Sequence, residues 1–420
     1  MRIHSIPRAV RRCLGLLSAV LLLCGLLAGT ARAEDGGLLQ RGDRVYLGWF
    51  TDSSRFGDPL SFPVSWLVLD PDATNSGEPG VFLLSQYVVQ QTGVRYNREV
   101  AVWPGSLAQQ WCTDFALSAF SDAERAMIPA VSKSEEPLPN YALNWAANEL
   151  SSEQVFFLSA WEAKDYIGPE GTPGLSAETP DGIVTYWWFR SPHFWHPDWS
   201  GLVLQGDDIH DSQVENVWGA RPAMNLDPRR AVLLLPAQGQ REVGVLAAPE
   251  RPEDGAWKLT VPDEARSLTV SRARIRDGVL QFDYENAPVG EDEYLSLLAC
   301  SPQGETLLWG RLCRTEQAAG TAELPLGALS LPQDAQLYVF AEREGGDFRT
   351  NYASPLCALT PLLLADEAEQ AARAQAEAEA EAEAAAAQAG AERVQRSPLP
   401  WLIPAALVLL LTLVFLLRRR

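Results

Sequence analysis

The stretch Pro398 to Leu417 contains no charged residue and is followed by Arg418, Arg419 and Arg420. A helix of about twenty residues at ~1.5 Å each reaches ~30 Å, the hydrocarbon thickness of a bilayer. The stretch therefore reads as a transmembrane helix (398–417). Residues 418–420 read as a cytoplasmic tail, because basic residues cross membranes poorly. On this reading the rest of the chain works outside the membrane.

The other end is consistent with that orientation. Arg2, Arg8, Arg11 and Arg12 precede the apolar run Leu14 to Leu27, and Ala31-Arg32-Ala33 gives the small-x-small pattern of a cleavage site. Residues 1–33 read as a signal peptide, with an uncleaved anchor as the alternative. The leucine before Cys24 fits a lipidation signal badly. The expectation is a single-pass type I protein of the cell membrane with an extracellular ectodomain.

Roughly 360 residues lie between these segments, room for two domains of ~100–200 residues. The net charge of −20 argues against nucleic-acid partners, which need basic patches. Outside the leader stand Cys112, Cys300, Cys313 and Cys357, too few for a disulfide framework and without zinc-site spacing. One disulfide among the last three, or buried free thiols, both fit.

Residues 40–238 are rich in Trp, Gly and Pro. Strands are expected at Arg44–Gly48, Val64–Asp70, Gly80–Ser85 and Val155–Ser159, with helices at Ser106–Phe120 and Trp161–Tyr166. Ser121 followed by Glu124 is a capping box. Residues 249–361 alternate in short segments broken by turns, the pattern of an antiparallel, immunoglobulin-like β-sandwich, clearest in the hairpin Leu295–Gly310. The Ala/Glu-rich tract 363–396 reads as a solvated helical stalk, since Ala and Glu favour helix but leave no apolar stripe.

Three groups of motifs carry a resemblance. They are Gly42-Asp43 with Trp66-Leu67-Val68-Leu69-Asp70 and Phe82-Leu83-Leu84-Ser85; Trp103, Ser106, Trp111, Phe115, Phe120 and Glu124; and Phe157-Leu158-Ser159 with Glu162 and Tyr166, Trp187-Trp188-Phe189-Arg190-Ser191-Pro192, and Gly219-Ala220-Arg221-Pro222-Ala223. In this order the chain resembles the secreted bacterial "domain of unknown function 6273" family. The resemblance implies an exported or surface protein of Gram-positive bacteria and no established activity. Phe189, Cys112 and Ala220 depart from the family's usual Leu, Leu and Val as packing changes. The same order is similar to the C-type-lectin-like fold of formylglycine-generating enzymes. The implied fold class is α+β: a lectin-like mixed domain, then the sandwich, the stalk and the span.

Arg190 and Arg221 sit in apolar strand sequence, where a guanidinium needs carboxylate or carbonyl partners. Structural anchoring is the plain reading and ligand contact the sharper one. Tyr186 to Phe189 read as core. His193-Phe194-Trp195-His196-Pro197-Asp198-Trp199 reads as a loop whose rings either cover the core or stack on sugars or peptides. The candidate ligand-binding residues are Arg190, Trp195, His196, Trp199, Asp207 and Asp208. His193, His196 and His210 lie near Asp198, Asp207, Asp208 and Asp211, but in no recognised ligand spacing, so no metal or cofactor is assigned. The Arg41-Gly42-Asp43 triplet matches an integrin tripeptide by chance.

No residue is assigned a catalytic role. Cys112 sits in a helical, buried-looking pattern, and there is no Gly-x-Ser-x-Gly elbow. A carboxylate pair for glycoside cleavage stays open. The expected function is binding or adhesion at the cell surface, with an extracellular glycan, cell-wall component or protein as ligand. The alternatives are a structural envelope protein and an extracellular hydrolase or sulfatase-modifying-like enzyme.

Overall fold

The computed structural model describes residues 38–54, 58–144, 148–167, 174–203, 208–239, 241–326 and 334–395. Strand takes 42% of it and helix 18%, so the α+β expectation gives way to a β-dominated architecture. The reason lies in segments without an apolar run. Gln90–Arg95 (QQTGVR), Ile209–Gln213 (IHDSQ) and Val217–Ala220 (VWGA) are polar or glycine-containing, yet each completes a sheet. Connections expected to be irregular are thus strands.

Among the described residues a twelve-stranded sheet runs in the order Thr306–Arg314, Glu293–Cys300, Gln336–Arg343, Asn351–Ala353, Ala256–Pro262, Arg44–Asp52, Leu60–Asp70, Val81–Ser85, Pro222–Leu226 and Val155–Phe157. Leu233–Pro236 and Cys357–Ala358 pair onto it from the side. Its central members are apolar on both faces: Val64 to Leu69 and all of Val81–Ser85 and Pro222–Leu226 are buried. Strands covered on both sides read as continuous apolar runs, which is why most of these were legible. Arg44–Asp52 pairs in parallel with Ala256–Pro262, matching Arg44 with Ala256 and Tyr46 with Lys258. The sandwich expected over 249–361 therefore shares its main sheet with residues 40–238. Its strands Thr269–Arg276, Val279–Glu285 and Gly320–Pro325 form a separate antiparallel sheet.

A five-stranded sheet carries the site region, ordered Ile209–Gln213, Trp199–Val203, Trp187–Pro192, Val217–Ala220 and Gln90–Arg95. The Leu107–Ala119 helix starts at Ser106, whose hydroxyl accepts from the Gln109 amide at 3.0 Å. It buries Ala108, Cys112, Phe115, Ala116 and Ala119, while Leu107 and Leu117 face solvent. The Ala160–Tyr166 helix is closed by a second capping box, Ser159 with Glu162.

The chain divides into two compact units, the first ending at Thr360. The second is described through the Thr360–Gln395 helix, whose side chains are exposed throughout 371–389. Among the described residues no helix is long and apolar enough to cross a membrane. The segment expected to span, 398–417, and the leader 1–33 lie outside the described residues.

Candidate functional site

Two polar features stand out in the region of the five-stranded sheet. The first is a buried ionic network. Arg190 is fully buried on Trp187–Pro192. Its Nη1 donates to the Phe157 carbonyl at 2.9 Å and to Glu162, its Nη2 to Glu135 at 3.0 Å, and its Nε to the Asn148 carbonyl at 3.1 Å. Lys133 closes the circuit through Glu135 at 2.6 Å, Glu162 at 3.3 Å and the Asn75 carbonyl at 2.6 Å. The Asn75 side-chain amide donates to Glu162 at 2.8 Å, and Asn225 donates to Asn75 at 2.8 Å.

Burial alone would raise the Glu162 pKa, but the Arg190 and Lys133 charges and their hydrogen bonds bring it down to about 2. Glu135 goes the other way, raised by burial and by the Glu162 charge. Two carboxylates and two carbonyls take four of the five guanidinium N–H donors, and Arg190 is fully buried, so a ligand at the surface does not reach it. Arg221 likewise spends its Nε on the Ser85 carbonyl at 3.0 Å and its Nη2 on the Gln86 carbonyl at 3.3 Å, over the face of Trp187. Both arginines tie strands and turns together, the anchoring reading of the sequence.

The second feature is the loop from His193 to Trp199. It is closed by the His193 amide donating to the Trp199 carbonyl and the Trp199 amide to the His196 carbonyl, both at 3.0 Å. Three backbone bonds moor it: Phe194 N–H to Ala142 at 2.8 Å, Ala101 N–H to Pro197 at 2.6 Å, and Val214 N–H to Asp198 at 2.8 Å. His193 Nδ1 accepts from the Trp195 and His196 amides at 3.1 and 3.2 Å, and Nε2 meets Asp211 at 3.0 Å. Acceptance at Nδ1 assigns the proton to Nε2, so the imidazole is neutral and donates to Asp211. Burial lowers the His193 pKa, against the pull of Asp211, in keeping with that state.

On this frame Trp195 is 67% exposed and Phe194 50%, their rings 5.5 Å apart in edge contact. His196 is exposed and lies 5.2 Å from the half-buried Trp199 ring. Val100 and Tyr141, one residue from the moorings at Ala101 and Ala142, add exposed apolar surface. The loop thus holds flat rings in water on a backbone that is already ordered, which lowers the ordering cost of binding.

The structure brings Trp195, His196 and Trp199 together and separates the other candidates from them. Arg190 is sealed in the interior. Asp208 is exposed ahead of Ile209–Gln213, and that strand pairs Val203 with Ile209 but Trp199 with Gln213, so Asp208 lies at the far end of the hairpin from Trp199. Asp207 lies outside the described residues. The carboxylate that does reach the loop is Asp211. No local spacing links it to His193; the hairpin that sets Asp211 opposite Gly201 brings it there. Glu135, Lys133 and Asn75 were also missed, because no local spacing links them to Arg190. The Arg-Gly-Asp triplet is closed to a receptor: Asp43 is buried, paired with Arg251 and accepting from Trp257 Nε1 at 3.1 Å.

Fold and site together define a β-dominated module with a buried ionic anchor and a rigid aromatic loop. Residues 79–228 match the family model described as Domain of unknown function (DUF6273), and this segment belongs to that family. The match holds the aromatic loop, the Phe82 to Ala223 motifs and the ionic network apart from Asn75, while Gly42-Asp43, Trp66–Asp70 and Asn75 precede it. No curated protein matches the chain.

Proposed function

We propose that this protein is a recognition module displayed outside the cell, and that the loop Phe194 to Trp199 binds polyhydroxylated ligands, glycan chains of a cell wall or cell surface. The observation that carries the reading is Trp195, two-thirds exposed on a loop held by backbone bonds to three other segments. An indole face stacks on the apolar face of a sugar ring, and His196 and Asp198 supply polar groups for its hydroxyls. The export signal read in residues 1–33 accounts for access to such ligands. Binding without turnover fits the buried groups. Cys112 is sealed in the core, where burial pushes its thiol pKa up, and Glu135 and Glu162 are committed to Arg190 and Lys133.

The test is an array of glycans and cell-wall fragments probed with the full chain and with Trp195→Ala. A central aromatic anchor is worth about 2 kcal/mol or more, so the variant should bind more than tenfold more weakly with its fold intact by circular dichroism. Unchanged affinity in the variant, or no ligand anywhere on the array, overturns the proposal.

A further inference from the structure

Outside residues 79–228 a cavity of about 120 Å³ opens between the Leu233–Pro236, Ala256–Pro262 and Thr306–Arg314 strands, lined among others by Arg241, Lys258, Trp309, Arg311 and Glu344. The lining brings three cations and one carboxylate together. Arg311 is neutralised: its Nη1 donates to Glu344 at 2.7 Å, and its Nε and Nη2 donate to Glu342 at 3.2 and 3.3 Å.

The other two cations are not. Lys258 is 3% exposed and spends one donor on the Gly346 carbonyl at 2.9 Å. Arg241 lies 4.5 Å over the Trp309 ring. Among the described residues neither makes an ion pair, and the buried Trp309 Nε1–H has no acceptor. The nearby Asp347 accepts from the Gly239 amide at 3.2 Å. Burial lowers the Lys258 pKa against the more distant charges of Glu344, Glu342 and Asp347, none of which pairs with the ammonium.

Buried donors left without acceptors cost free energy, and an unpaired buried charge costs more. Lys258, Arg241 and Trp309 all lack the same thing, an anionic oxygen. We infer that the cavity is a binding site for a small oxyanion group, a carboxylate or a phosphate, held between the Lys258 ammonium and the Arg241 guanidinium. Its volume suits such a group, since on the same measure a single water needs only about 10–15 Å³. This site is independent of the aromatic loop.

The experiment titrates the full chain with sodium phosphate and with sodium acetate, following the unfolding midpoint and the heat of binding, against sodium chloride at equal ionic strength. Phosphate or acetate should raise the midpoint where chloride does not, and whichever acts identifies the ligand as phosphorylated or carboxylic. Lys258→Met and Arg241→Gln should each weaken binding tenfold or more, while Arg274→Gln, on an outer strand, leaves it unchanged. Should Lys258→Met fail to fold, the half-buried Arg241→Gln decides. Equal effects of chloride, or unchanged affinity in Arg241→Gln, would overturn the site.

Discussion

Glu162 serves two structures with one carboxylate. Its Oε2 accepts from the Ser159 amide at 2.9 Å, capping the Ala160–Tyr166 helix, and the same group faces Arg190. Its pKa is held near 2, so its ionised form stabilises the fold above the ordinary carboxylate range of about 4.3, and this is lost as pH falls toward 2. Glu135 has the opposite sign: its raised pKa lets it take a proton first, which relieves repulsion with Glu162. The melting temperature should therefore hold level or rise slightly down to about pH 5, then fall steeply below about pH 4.5. Glu162→Gln should cost about 3–5 kcal/mol at pH 7, because it leaves Arg190 underpaired in the interior, and should flatten the acid limb. A Glu162→Gln midpoint equal to that of the native chain in urea would refute this role. At this scale the sequence was half legible. Ser159 with Glu162 is readable as a cap at three-residue spacing, but Lys133 and Glu135 reach the same carboxylate only through the tertiary fold.

Strands with their own apolar runs, such as Val81–Ser85 and Glu293–Cys300, were readable because burial on both faces leaves a continuous hydrophobic signature. Val217–Ala220 was not, since its neighbours make it a strand. It lies between Trp187–Pro192, in parallel, and Gln90–Arg95, antiparallel. Gly219 makes that closeness possible. A Cβ there would stand 2.6 Å from both the Tyr186 carbonyl oxygen and Val88 Cγ1, and the oxygen belongs to a backbone that cannot step aside. The Gly219 amide also donates to that Tyr186 carbonyl at 2.8 Å, so pushing the strands apart breaks the bond that joins them. Gly219→Ala should destabilise by about 1–3 kcal/mol, read as a lower urea midpoint with unchanged slope. A midpoint within error of the native chain would mean the sheet has slack that this geometry denies. The α+β expectation follows from the lectin-like resemblance, and polar strands do nothing to correct it: they carry no period of their own, so their share of sheet is invisible until the partners are in place.

Up to Thr360, the two halves that differ in sequence texture are held together by more than a linker. The parallel pairing of Arg44–Asp52 with Ala256–Pro262 carries the main sheet across, and Trp257, Leu259 and Val261 enter the same core as Val45, Trp66 and Leu67. Asp43 is paired with Arg251 and bonded to Trp257, while Glu124 accepts from the Gly48 amide at 3.3 Å and the Thr350 hydroxyl at 2.6 Å. A fragment ending at residue 238 would leave Arg44–Asp52 as an open edge, its backbone groups unpaired on one side, and would uncover the core that Trp257 fills. Residues 34–360 should therefore unfold in one cooperative transition by calorimetry and by tryptophan fluorescence alike. The 34–238 fragment should elute as aggregate in size-exclusion chromatography and lack near-ultraviolet dichroism, although it contains the whole family segment. A soluble 34–238 fragment with native dichroism and its own cooperative melt would show that the shared sheet is a contact between independent domains. On this geometry the strand Ala256–Pro262 completes the sheet that carries the matched family segment, so the aromatic loop should keep its native frame only with the C-terminal half attached.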